Sequence, residues 1–186
     1  MAGKYLDEGN LTAIFDQFAP ALYKYALRLC HDPTVGDNIV GDAFAGLLEQ
    51  YATGKDPRSN PQLYLYQTGY SSIVKYLRDS PHDSSVQPVV GVSEESDISS
   101  SQPQDDEQAI KEAWFSALNN ELTEDQRHVM SLYFLDDFSI QETAKILGKK
   151  VNEVKVNLGG IQKIIDNHPE LLTESLSKKK KKRKPK

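Results

Sequence analysis

Cysteine is nearly absent from this chain. Cys30 is the only one among 186 residues, so an internal disulfide and a cysteine-built metal site are both excluded. It lies in the apolar series Leu22, Ala26, Leu29 and is expected to be a small buried hydrophobe. Long apolar runs are missing too. None approaches the roughly 20 residues that cross a bilayer, and MAGKYLDEGN at the start has no signal-peptide core. There is no glycine-rich phosphate loop. His31, His82, His128 and His168 show no ligand spacing, and no Ser/His/Asp constellation stands out. The expectation is a cytoplasmic protein that is not an enzyme and needs no cofactor.

Positive charge is scarce along most of the chain and concentrated at one end. Residues 178–186, KKKKKRKPK, hold eight basic residues and no acid. Without these eight, 14 basic residues stand against 27 acidic ones, a net charge of -13 against -5 for the whole. Such a tail can touch phosphates without being ordered. It also has the composition of a nuclear-import signal or of a solubilising extension.

What remains is patterned for helices. Ile14, Phe15, Phe18, Leu22, Tyr25 and Leu29 recur on one side of a helix over 11–29, which Asp32-Pro33 breaks. A second helix over 34–51 buries Val35, Ile39, Val40, Ala43, Phe44, Leu47 and Tyr51 and keeps Asp37, Asn38, Asp42 and Glu49 outward. After a turn-rich loop at 53–61, a third helix over 62–78 turns Leu65, Tyr66, Gly69, Ile73 and Leu77 inward. Residues 80–108 are rich in Ser, Asp, Glu, Gln and Pro and contain no Lys or Arg, the composition of a flexible acidic linker. A helix over 106–119 brings Ile110, Trp114, Phe115 and Leu118.

The stretch 122–165, LTEDQRHVMSLYFLDDFSIQETAKILGKKVNEVKVNLGGIQKII, is the most specific. Thr123 with Gln126, and Ser139 with Glu142, are capping-box starts. Ile140, Thr143, Ala144 and Leu147 form the apolar side of a short helix, and Gly148 fits the left-handed position that ends it. In the next helix Val151, Val154, Leu158, Ile161 and Ile165 point inward, and Lys155, Asn157 and Gln162 outward. Two short helices around a glycine turn are the unit that places its second helix in the DNA major groove. A plain helical hairpin has the same pattern.

The residues 117–148, ALNNELTEDQRHVMSLYFLDDFSIQETAKILG, resemble region 4 of bacterial sigma factors. IFDQFAPALYKYALRLCHDPTVGDNIVGDAFAGLLEQ at 14–50 and QLYLYQTGYSSIVKYLRD at 62–79 resemble region 2, with Tyr64-Leu65-Tyr66 in place of the usual Trp-Leu-Tyr. Region 2, a linker and region 4 without region 3 is the layout of the extracytoplasmic-function class. The resemblance implies an all-α fold of two helical domains, with region 2 at 10–79, a linker at 80–107, region 4 at 108–170 and a basic disordered tail within 171–186.

It also implies partners: core RNA polymerase, through the clamp coiled coil of the largest subunit and the flap of the second-largest, promoter DNA, and an anti-sigma factor. No membrane is involved. Asp37, Asn38, Ile39, Val40 and Asp42 fall on the clamp-binding motif: Asp37 and Asp42 match it, Ile39 and Val40 are conservative, and Asn38 and Gly41 are departures. Lys55, Arg58, Asn60, Tyr64, Lys75 and Arg78 fall where region 2 meets the minus-ten element, with Tyr70 and Tyr76 as further stacking surfaces. Lys149, Lys150, Asn152, Lys155, Asn157 and Lys163 fall at or on the helix that meets minus-thirty-five DNA. There Gly160 replaces the usual Arg, and Gly159-Gly160 weakens the helix. Two other readings share this pattern: a helix-turn-helix regulator that works without polymerase, and a sigma-like interaction protein that has lost promoter recognition.

Overall fold

A computed structural model describes residues 8–53, 60–79 and 103–168, with side chains from 11 and 110 onward in the first and last segments. Lys55, Arg58, most of the expected linker and the lysine tail lie outside the described residues. The described residues contain helices and turns and no strand: α1 Glu8–Cys30, α2 Pro33–Ala52, α3 Pro61–Asp79, α4 Pro103–Leu118, α5 Glu124–Met130, α6 Ile140–Ile146 and α7 Val151–Asp166. None is long and apolar enough to cross a membrane.

The chain divides into two compact units, Met1–Val89 with Gln141–Lys150, and Val90–Ile140 with Val151–Lys186. Within the first unit the Gln67 amide donates to the Lys145 carbonyl across 3.0 Å.

In the first unit, α1, α2 and α3 pack around one core. A single turn separates the first two. His31 takes a left-handed φ of 55°. The Asp32 carboxylate then accepts from the N–H groups of Thr34 (2.8 Å) and Val35 (3.2 Å), and Pro33 follows it at the start of α2. Leu22, Tyr25, Leu47, Leu65, Tyr66 and Ile73 are completely buried. Each aliphatic one stabilises the unit by about 1.5–3 kcal/mol. Tyr25 and Tyr66 meet in a tilted ring pair, centroids 5.4 Å apart. Burial, and to a lesser degree Asp32, push the Cys30 thiol up to about 12, so it stays protonated and inert near neutral pH.

Several boundaries and faces differ from the periodicity. The first helix starts three residues before Leu11, and α4 starts at Pro103, inside the stretch expected to be linker. Phe15 is exposed rather than inward, because it packs on Phe44 at the rim of the core, centroids 4.9 Å apart. Leu77 and Tyr51 are only half-buried.

The second unit is built on Phe115, Leu118, Leu122, Val129, Leu132, Val154, Ile161 and Ile165. The Thr123 hydroxyl accepts from Gln126 N–H (3.3 Å), and the Gln126 side-chain oxygen accepts from Thr123 N–H (3.0 Å). Arg127 donates to the Asn119 carbonyl (3.0 Å). After Met130 the chain widens into one π-helical turn, Ser131–Leu135, closed by Asp136 N–H on the Ser131 carbonyl (3.0 Å).

A methyl group added at Gly69 would lie 2.9 Å from Cδ1 of the fully buried Leu22. Gly69→Ala is therefore expected to destabilise the first unit by about 1–3 kcal/mol through overpacking. Urea unfolding of the full chain, followed by circular dichroism, checks this.

Candidate polymerase- and DNA-binding surfaces

The acidic face of α2 follows from burial on its opposite side. Ile39, Val40, Ala43, Phe44 and Leu47 enter the core, so Asp37, Asn38, Gly41, Asp42, Ala45, Leu48 and Glu49 are left exposed along one stripe. Ile39 and Val40 were expected among the polymerase-binding residues. They are only 4 % and 8 % exposed, and a side chain held in the core cannot reach a partner. Their part is to orient the helix. Leu48, 44 % exposed, is an apolar member of the stripe that sequence reasoning missed, although its spacing from Ala45 signalled it.

On α3 the expected DNA-binding residues divide. At 3.6 residues per turn, Tyr64, Lys75 and Arg78 fall on one side, while Tyr70 and Tyr76, both half-buried, are each about a third of a turn away from it. Lys75 and Arg78 are exposed and Tyr64 is half-buried. A methyl group at Gly46 of α2 would come within 3.1 Å of the Tyr64 hydroxyl, so this end of the ring rests on α2. Arg78 holds its neighbour Asp79 at 2.9 Å. That hydrogen bond, with the Arg78 charge, keeps the Asp79 carboxyl below its usual range. An exposed pair of this kind is weak and can exchange for phosphate. Asn60 is committed locally. Its side-chain oxygen accepts from Leu63 N–H (2.9 Å), capping α3 ahead of Pro61. Asparagine before proline at a helix start signalled this cap in the sequence.

The α6 helix ends as expected at Gly148, φ 61°. Lys149 N–H reaches the Ala144 carbonyl (2.9 Å) and Gly148 N–H the Lys145 carbonyl (3.3 Å), which together make a Schellman ending. Lys149 is half-buried and Lys150 exposed in the turn before α7. Along α7, Asn152, Lys155 and Lys163 are exposed, while Val154, Ile161 and Ile165 are buried. Asn157 is half-buried and its amide donates to the Glu153 carbonyl (3.1 Å), so it is less available than expected. Val156 is 74 % exposed and was not singled out in the sequence.

The glycine pair has two explanations, one for each residue. At Gly160 an added methyl group would collide with the Gln126 amide nitrogen, part of the capping box of α5. At Gly159 it would meet nothing. The helix nevertheless runs unbroken from Val151 to Asp166.

The model of sigma-70 region 2 matches residues 14–81, and that of sigma-70 region 4 matches 113–159. The two cover more than half of the chain, in the order that the sequence resemblance gives. This chain belongs to the sigma-70 family. It is also 26 % identical over 175 residues to the ECF RNA polymerase sigma factor SigX of Bacillus subtilis (strain 168), covering 91 % of this chain and 88 % of that protein. It is a sigma factor of the extracytoplasmic-function type, a protein of promoter recognition and transcription initiation. Among the described residues, no group of three or more His, Cys, Asp or Glu is placed to hold a metal ion.

Because the two glycines differ, this sigma factor should respond differently to two alanine substitutions. Gly159→Ala adds helix propensity in open space and should raise stability by up to ~1 kcal/mol. Gly160→Ala must move the Gln126 amide nitrogen, the end of a flexible side chain beside the capping oxygen, and should gain less than Gly159→Ala. Chemical denaturation of both variants beside the parent measures the difference.

Proposed function

We propose that α2 docks on the polymerase clamp and that α3 and α7 meet the minus-ten and minus-thirty-five elements. The observation that supports this best is the exposed stripe of α2. Asn38, Asp42 and Glu49 lie one above the other, Asp37 stands at the other edge of the same exposed face, and Leu48 adds an apolar contact. Carboxylates in such a row pair with cations of a partner helix, and a central apolar residue is desolvated on contact. Gly41 leaves room for close approach, since an added methyl group there meets nothing.

On α3, Tyr64 offers a partly exposed ring and Lys75 and Arg78 offer cations, the combination that holds unstacked bases and their phosphates. On α7, Lys155 and Lys163 serve phosphate and base edges, with Asn152 beside them. Region 4 also contacts the polymerase flap, and an anti-sigma factor controls access to these faces. The chain catalyses nothing itself and lends specificity to the polymerase. The lysine tail adds sequence-independent affinity for DNA. The open faces of α2 and α7 favour this reading over a regulator that works without polymerase.

Run-off transcription by core polymerase with this chain, on upstream fragments from the same genome, tests the reading. Promoter-dependent transcripts support it, and their absence with active core enzyme refutes it. Asp37→Lys with Asp42→Lys is expected to weaken co-purification with core polymerase at least ten-fold. Stability should change by less than ~1 kcal/mol, since both side chains are exposed. Unchanged co-purification would remove the assignment of α2 to the clamp.

A further inference from the structure

The outward strip of α7 carries an apolar spot between two cations. Lys155 and Val156, Gly159 and Lys163 follow one another at helical spacing, and all are exposed. Val156 is the most exposed large hydrophobic side chain described, at 74 % against 47 % for Phe15 and 44 % for Leu48. Phe15 packs on Phe44, and Leu48 belongs to the stripe assigned to polymerase. Val156 has no such role, and a valine in a surface helix adds no helix propensity. One turn onward, Gly159 costs stability with no packing return, because nothing lies within 4 Å of where its methyl group would be. Gly160 explains itself by its contact with Gln126, but Gly159 does not.

Both features are accounted for by a surface that approaches the helix closely and offers a small apolar group there. The major groove is such a surface. Its rims are phosphates, suited to Lys155 and Lys163, and the C5-methyl group of thymine is the apolar feature on its floor. Valine is short, and in a helix it holds one strongly preferred rotamer, so its methyl groups are set in place before binding. Its short reach demands that the helix backbone come near the bases, and a missing Cβ at Gly159 allows this. We propose that Val156, with the gap at Gly159, reads a thymine methyl group in the minus-thirty-five element, as a specificity-determining residue. The inference rests on the reading of α7 as the DNA-facing helix.

The experiment uses the full chain with core polymerase. A duplex library randomised upstream of the minus-ten element is selected for binding. The most enriched duplex is then remade with each thymine in turn replaced by uracil, which removes only the methyl group. One replacement should weaken binding by the parent about four-fold, the value of one buried methyl group. Val156→Ser should bind the thymine duplex more weakly and lose that discrimination. Gly159→Ala should also weaken binding, although it stabilises the helix, so misfolding cannot account for the loss.

Uracil tolerated at every position by the parent would overturn the inference. So would a Val156→Ser variant that keeps the four-fold discrimination. Loss of polymerase binding by Val156→Ser, with discrimination unchanged, would assign the spot to a protein partner instead and equally overturn it. Failure to enrich any duplex would overturn the reading of α7 along with the inference. Enrichment without a methyl effect would overturn the inference alone.

Discussion

The second unit depends on how closely α7 passes over the start of α5. Gln126 must close the capping box with Thr123, and its amide occupies the place where a side chain at position 160 would begin. Burial of Val154, Ile161 and Ile165 sets the rotation of α7, and Gly160 lets it pass close to Gln126. With Gly160 against α5 and Val154, Ile161 and Ile165 in the core, the remaining positions have only one direction to face. Lys155, Val156, Gly159 and Lys163 therefore share the outward side, whatever their chemistry. The glycine at 160, which weakens the helix, also leaves room for the Gln126 amide.

The first unit obeys the same logic with different chemistry. Gly69 brings α3 against Leu22 of α1, and the buried side of α2 closes the core. Ile39 and Val40 do their work from inside: by anchoring α2 they leave Asp37, Asn38 and Asp42 in water, where ionised groups are stable and accessible. The stretch 37–42 thus combines an apolar anchor with an acidic exposed face. Separating them requires knowing which side is covered.

Among the described residues no group of three or more His, Cys, Asp or Glu is placed to hold a metal ion, and the Cys30 thiol is displaced toward inertness. What the described surfaces offer instead is arrangement along helices: acids on α2, a ring with cations on α3, and lysines around an apolar spot on α7. Such arrangements bind long polymers and other helices, which is consistent with a sigma factor.

Much of this was legible because it is local. Asp32-Pro33, Thr123 with Gln126, and Gly148 decide helix ends within a few residues, and each adopts the geometry read from its type. Most of the buried sides of α2 and α3 followed from apolar spacing, with Val35, Tyr51 and Leu77 only half-buried. Asn60 ahead of Pro61 was equally local, a cap whose signal was passed over. The family also lay in the sequence, because motifs in order need no coordinates. Other features were decided by contacts between residues distant along the chain. Phe15 has the spacing of a core residue yet sits at the rim, because Phe44 meets it there. Gly159 and Gly160 are identical in sequence terms, and only the Gln126 amide distinguishes them. Periodicity fixes which residues share a side of a helix; what covers that side is set by the partner helix, and therefore by tertiary structure.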